Sequence, residues 1–589
     1  MENQRNLLLA VVLCGLLILG WDAGMKYFYP QPERPAATAA APAPAVTAPA
    51  APGAVAAPGG AAGIDAPAAA TRPVDLARSL AAELRIRIDA PRIAGSINPV
   101  GARIDDVTLT DYRETTERDS GPVRLFAPEG TLNQHFAEFG FLIDGRRATD
   151  ANTLWQASEG PLAPGRPVTL SHTTAEGYRL AMRFTVDENY LLSVEQTVAN
   201  PTADAAVVQP YALVNRTSRN ASPSQWIAHS GPVGGFADTV NYDYNYEDVE
   251  EAGRATGDGR LDWIGFTDIY WLSALVPQAG AEASGEFRSL GNSLFRADVI
   301  YQPIAVAAGE QVSRTTRLFA GAKESVVLDA YQDGGISQFG LAISWGWFRW
   351  FEKPMLALLR VLNDFAGNFG VAIILLTLIV RGLMFPIAQK QFASMAGMKA
   401  VQPKMKAIQE RYKDDRQKQQ QEIMALYKKE GVNPLAGCLP LLIQIPIFFA
   451  LYKVLILAIE MRHEPFLYIA DLSSPDPAKI LNLFGLLPFD PPGFLGIGIL
   501  AVLLGITMWL TFKMNPTVMD PIQQQIFNIM PWILMFVMAP FAAGLLLYWV
   551  TSNVLTLAQQ SYLYSRHPQL KAQAEKDKAD QERAKARDA

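Results

Sequence analysis

The sequence predicts a multi-domain membrane protein, in which an α-helical transmembrane bundle of five core spans plus an N-terminal anchor carries a large outer β-sandwich domain. Three observations carry this. Long uncharged runs sit at the extreme N-terminus and after residue 366, and such runs read as membrane spans. Between about 76 and 335 apolar residues alternate at period 2, the signature of half-buried strands. An Ala/Pro tract separates the first run from that stretch. Apolar residues make up 50% of the 589 positions, and the net charge of -6 averages over unlike regions, so it says nothing about partners.

Residues 1–29 hold the run NLLLAVVLCGLLILGW behind Arg5, the layout of a signal sequence. Asp22-Ala23-Gly24-Met25 is a poor cleavage site, and Leu13 before Cys14 does not fit a lipoprotein signal, so the run reads as an uncleaved anchor. Residues 30–75 have little to bury and read as an extended spacer. Residues 76–335 then alternate, as in Leu84-Arg85-Ile86-Arg87-Ile88 and in 178–186 (YRLAMRFTV), with turn signals at Asn200-Pro201 and Gly257-Asp258-Gly259. Trp226, Tyr242, Tyr244, Tyr246, Trp263, Tyr270 and Trp271 fall among acidic loops, which admits a carbohydrate-binding groove; core packing is the plainer reading of the same rings. No pair of carboxylates can be placed at glycosidase separation from sequence.

Residues 336–368 predict an amphipathic helix lying at the membrane surface. Met355, Leu358, Leu359, Leu362 and Phe365 share one face, and Lys353, Arg360, Asn363 and Asp364 the other. Trp345, Trp347 and Trp350 ahead of it are expected at headgroup level.

Residues 369–565 form the core. The segment 369–388 is 20 residues long and carries one charge, Arg381, placed ~18 Å from one end and ~10 Å from the other. An arginine inside a span costs ~3 kcal/mol or more, so it faces protein, water or a partner charge, or else snorkels to the headgroups. Residues 390–430 predict a helical hairpin: Met398, Val401, Met405, Ile408 and Tyr412 recur at 3/4 spacing, and Ile423, Leu426 and Tyr427 continue the seam. Its 10 Lys/Arg against 5 Asp/Glu put it in the cytoplasm. Asn433-Pro434 is an N-cap signal for a span over 435–459. The loop 460–493, with 2 Lys/Arg against 5 Asp/Glu, fits the outer side, and spans follow at 494–512, 526–539 and 541–563. The tail 566–589 is mildly basic, with 7 Lys/Arg against 5 Asp/Glu.

Polar residues inside these spans are Thr377, Arg381, Gln444, Tyr548, Thr551, Ser552 and Asn553, with no acidic partner for Arg381 in any span. An ion-coupled transporter or proton relay would carry intramembrane Asp or Glu. An unpaired cation among uncharged hydrogen-bonding groups suits a transient polar guest. The two cysteines, Cys14 and Cys438, and five scattered histidines suggest neither a disulfide framework nor a metal site. No phosphate-binding loop motif is present, and no cofactor is expected.

Val380-Arg381-Gly382 before Pro386, Gln402-Pro403-Lys404, Val432-Asn433-Pro434-Leu435, Gly437-Cys438-Leu439-Pro440, Gln444-Ile445-Pro446-Ile447-Phe448, Asp520-Pro521, Leu547-Tyr548 and Ser552-Asn553 closely resemble the YidC/Oxa/Alb membrane protein insertase family over residues 345–565. The anchor and large outer domain look like its Gram-negative YidC form. The resemblance implies a non-enzymatic insertase and folding chaperone of the bacterial inner membrane. It implies six spans, cytoplasmic termini and a periplasmic β-supersandwich akin to sugar-mutarotase folds. It further implies an inner-leaflet groove lined by Arg381, Thr377, Gln444, Tyr548, Ser552 and Asn553. A cytoplasmic hairpin marked by Gln402, Pro403, Lys404, Tyr412, Asp414 and Asp415 would recruit substrate, ribosome or translocon. The implied partners are nascent membrane proteins, the Sec translocon, a transient ribosome and lipids, with no other nucleic-acid contact and a monomeric state. Two departures stand out: Lys453, expected to snorkel at the outer end of its span, and a long outer loop, LLPFDPPGF. A membrane-tethered periplasmic glycan-binding protein or enzyme is the competing class, separable by deleting most of 76–335.

Overall fold

Alternation becomes sheet where the sequence shows it. Strand Ile86–Asp89 buries Ile86 and Ile88 and exposes Arg87 and Asp89. Strand Arg179–Val186 buries Leu180, Met182, Phe184 and Val186. The structure is a computed structural model that describes residues 74–82, 84–222, 228–413, 415–430, 439–484, 487, 489, 491, 496–514 and 521–566. The anchor, almost all of the spacer, Trp226, Asn433, Pro434 and the tail beyond 566 therefore lie outside the described residues.

Among the described residues the strands form two antiparallel sheets, of eleven and nine strands. The first is centred on His135–Ile143, Ala206–Thr217 and Leu294–Tyr301. The second is centred on Trp271–Val276, Gln311–Ala322 and Leu191–Ala199. Their inner faces meet through rings such as Phe139 and Phe184, edge to face at 6.3 Å. Strand His135–Ile143 is buried along its whole length, so it shows no alternation. Its Gly140 pairs with Tyr211, whose ring a Cβ there would meet at 2.4 Å.

The aromatics that admitted a sugar groove are largely spent on packing. Trp263 is fully buried, edge-on to Phe339, and donates its indole N–H to the Ser337 carbonyl at 3.1 Å. Tyr246 stacks on Phe266 and leans on Phe295. Tyr242 gives its hydroxyl to the Leu341 carbonyl.

Short helices α1 (Leu76–Leu80), α2 (Tyr246–Ala252) and α3 (Ser325–Asp333) accompany the sheets. The helical region follows: α4 (Arg349–Ala366), α5 (Phe369–Arg411), α6 (Arg416–Lys429), α7 (Leu439–Leu457), α8 (Ile499–Met514), α9 (Pro521–Met538) and α10 (Ala543–Arg566). α5 touches α4, α7 and α10; α10 also packs on α8, and α8 on α9. Among the described residues one stretch, Phe369–Gln389, is long and apolar enough to cross a bilayer, and Gln444–Leu457, Ile499–Met514 and Asn528–Met538 are shorter apolar stretches.

α5 runs unbroken for 43 residues, so the segment 369–388 and the first hairpin arm, both read as helical from sequence, are one rod, because 389–400 (QKQFASMAGMKA) continues with helix-forming residues. The start of the helical region departs from the sequence reading in two places. α4 turns Glu352, Met355, Leu356 and Leu359 inward, while Phe365, assigned to the apolar face, is 84% exposed. Trp350, Val361 and Phe365 form a second, outward apolar stripe at helical spacing. Finally Trp345 is fully buried instead of lying at the surface as Trp347 and Trp350 do.

Candidate functional site

The site begins at a helix start. Gly367, at φ 69°, ends α4 in the left-handed region, and the Asn368 side chain caps α5 by accepting from Val371 N at 3.2 Å. From that start Thr377 and Arg381 fall four residues apart, on one face. The Thr377 hydroxyl is buried and donates to the Ile373 carbonyl of its own helix at 2.6 Å. Arg381, half-buried, reaches across to α10, where Nε donates to Ser552 Oγ at 2.9 Å and Nη2 to the same oxygen.

One turn before Ser552 on the same face of α10 lies Tyr548, fully buried, whose hydroxyl accepts from Gln444 Nε2 of α7 at 2.8 Å. Gln444 Oε1 is buried with no hydrogen-bond partner among the described residues. Gln559, two turns further along α10, donates to the Arg381 carbonyl at 3.3 Å. Three helices thus converge on one polar stripe. Among the described residues no carboxylate pairs with Arg381, which retains donors of its five-N–H fork beyond the two used.

Asn553 does not join this stripe. It is next to Ser552 in sequence, hence rotated by about 100° on the helix, and it donates to Thr507 Oγ1 of α8 at 3.1 Å. Thr507 and Gln559 were not singled out from sequence. The signal for Thr507 was a threonine pair four residues apart, Thr507 and Thr511, in an otherwise apolar segment.

The chain's residues 361–572 match the family described as 60Kd inner membrane protein, and residues 85–358 match the YidC periplasmic domain. A membrane protein insertase YidC of Nitrobacter hamburgensis is 42% identical over 96% of each chain, and that of Zymomonas mobilis 41% over 96% of each. The chain belongs to the YidC membrane protein insertase family. A solved structure titled as an active YidC insertase with its first transmembrane domain resolved covers 81% of this chain and 92% of its own, at 19% identity and a TM-score of 0.35.

In this YidC-family chain the hairpin residues are placed as follows. Tyr412 ends α5, its N–H bonding the Ile408 carbonyl, and Asp415 caps α6 by accepting from Lys418 N at 3.0 Å. Lys404 pairs with Glu430 at 2.8 Å across the two arms, an exposed contact that solvent and salt screen. Val401 and Met405 are buried in the seam, and Tyr427 donates to Met405 Sδ at 3.2 Å. Gln402 and Pro403 lie on α5, their side chains outside the described residues, as is Asp414. Lys453 does not snorkel. It is 8% exposed and donates from Nζ to the Trp345 carbonyl at 2.5 Å, so its ammonium is spent on a backbone oxygen inside the protein.

Proposed function

We propose that this chain inserts nascent proteins into the bacterial inner membrane and assists their folding, without enzymatic chemistry, alone or with the Sec translocon. The single observation that carries this reading is a half-buried guanidinium, Arg381, set among apolar helices and bonded to a hydroxyl instead of a carboxylate. A cation anchored this way still attracts acidic groups, whereas a saturated salt bridge would not. Gln444 Oε1 adds an unused acceptor beside it, so the stripe offers a polar segment both donors and an acceptor.

The mechanism is physical. A hydrated recess opening from the cytoplasm around Arg381, Gln444, Tyr548 and Ser552 lowers the desolvation cost of a guest's polar tail. Its hydrophobic segment then slides between helices into lipid, and burial at ~25 cal/mol per Å² drives the transfer. In this reading the chain has six spans, cytoplasmic termini, residues 76–335 in the periplasm on the 30–75 spacer, and α4 flat on the outer surface. The hairpin 390–430 recruits substrate, ribosome or translocon. The chain acts as a monomer.

Photocrosslinkers placed at Gln444 and Thr377 of the full chain are expected to capture a stalled nascent membrane protein. Capture at neither position, with capture elsewhere on the helices, rejects the recess. Deleting most of 76–335 while keeping the anchor and α4 is expected to leave insertion largely intact, and a complete loss argues for an activity in the β-domain.

A further inference from the structure

The junction of α4 with α7 holds buried charges that have no part in the stripe around Arg381. Glu352 of α4 is completely buried, and neither of its carboxylate oxygens has a hydrogen-bond partner among the described residues. The indole N–H of Trp345, also completely buried, has none either. Lys453 of α7 is 8% exposed, and its one hydrogen bond among the described residues goes to the Trp345 carbonyl at 2.5 Å. Gly346, at φ +69°, makes room for that ammonium, since a Cβ there would sit 3.1 Å from Lys453 Nζ. α4 packs directly on α7; burial pushes the Glu352 carboxyl up to about 7, and Lys453 is the charge that opposes the shift.

Each of these groups alone is a liability. A buried carboxylate or ammonium without a counter-charge costs several kcal/mol, and each orphaned donor or acceptor adds to that. Together they balance in charge and in hydrogen-bonding sense: the ammonium has two N–H groups to spare, the indole has one, and the carboxylate accepts. A single water needs two to four polar partners to be held inside a protein, and it can accept from the ammonium and the indole while donating to the carboxylate.

We infer that Glu352 and Lys453 form a buried ion pair, joined through one internal water that also takes the Trp345 indole N–H, and that this pair locks α4 onto α7. The lock holds the helix that links the sheets to α5, and so sets where the Gly367-Asn368 turn starts the long rod. It is independent of the insertase reading, because it concerns how α4 is seated and not what α5 binds.

The test is a double-mutant cycle in the full-length protein in lipid nanodiscs, with E352Q, K453M and the pair, read by amide hydrogen exchange of residues 353–362. K453M is expected to speed exchange on the order of a hundredfold, as removing one partner of a buried pair does. The double variant is expected to recover most of that loss, since no orphan charge is left. If the single effects simply multiply in the double variant, the two groups are uncoupled and the lock is wrong. A second readout does not depend on the lysine variant folding. At pH 9, well above the raised Glu352 pKa of about 7, infrared spectra of the wild type should lack any protonated-carboxyl band that E352Q removes. Such a band would mean a neutral Glu352 and no ion pair.

Discussion

Arg381 keeps most of its donors because its fixed side-chain partner, Ser552 Oγ, is one uncharged atom. A charge at ~4 Å from a guest carboxylate is worth ~1 kcal/mol in water and ~4 kcal/mol in a partly buried setting. R381M is therefore expected to slow insertion of a substrate with an acidic tail roughly five- to thirtyfold in reconstituted vesicles. A neutral-tailed substrate should be affected much less, and equal losses for both would remove the electrostatic role. Among the sheets, burial and the neighbouring Arg216 push His135 well below its ordinary pKa of 6.5, and it sits 2.9 Å from Ser273 Oγ. The folded state thus holds this ring neutral while the unfolded chain protonates it. Its contribution is present above pH 6.5 and is lost as the pH falls below that, at up to ~1.4 kcal/mol per pH unit. H135Q is expected to flatten this limb of the pH–stability curve measured by circular dichroism, even if it lowers stability at pH 7.

Among the described residues the hairpin of α5 and α6 is held by light contacts, among them a short apolar seam, an exposed ion pair, a Gln419–Gln409 hydrogen bond at 3.0 Å and the Asp415 cap. Its stability should therefore be local and sensitive to the cap. D415A is expected to cost α6 ~1 kcal/mol, seen as faster amide exchange over 416–429 with the main thermal transition unmoved. Gly367 works at the other end of α5, where a left-handed backbone lets α4 turn into the rod. G367A would place a Cβ in that conformation and is expected to destabilise the α4–α5 corner by ~1 kcal/mol.

Sheets and helices are joined by more than the chain. Arg462, just after α7, donates to the Arg113 and Glu114 carbonyls at 2.8 and 3.0 Å and lies over the Trp271 ring at 5.3 Å. Arg360 of α4 bonds Ser325 at 2.9 Å and pairs with Glu460. R462A should weaken this seam by ~1–2 kcal/mol. Protease sensitivity of the 111–121 turn is expected to rise, with both parts still folded. Unchanged cleavage would mean that the clamp carries no load.

What could be read directly from the chain was whatever repeats locally. Period-2 alternation announced the strands at 86–89 and 179–186, and the 3/4 seam announced the pairing of α5 with α6. Arg381, Gln444, Tyr548 and Ser552 stood out as polar groups in apolar segments, since an unexplained cost of burial is visible in one dimension. Which of them meet was not. Ser552 and Asn553 are adjacent in sequence yet face different helices, and only the packing of α10 between α5 and α8 decided that one bonds Arg381 and the other Thr507. Lys453 and Trp345 lie 108 positions apart, and their contact exists because α4 docks on α7. Local pattern sets what each segment must bury, through spacing and composition that belong to the chain itself. The partner of a buried polar group is chosen by long-range docking, which no short window of sequence contains.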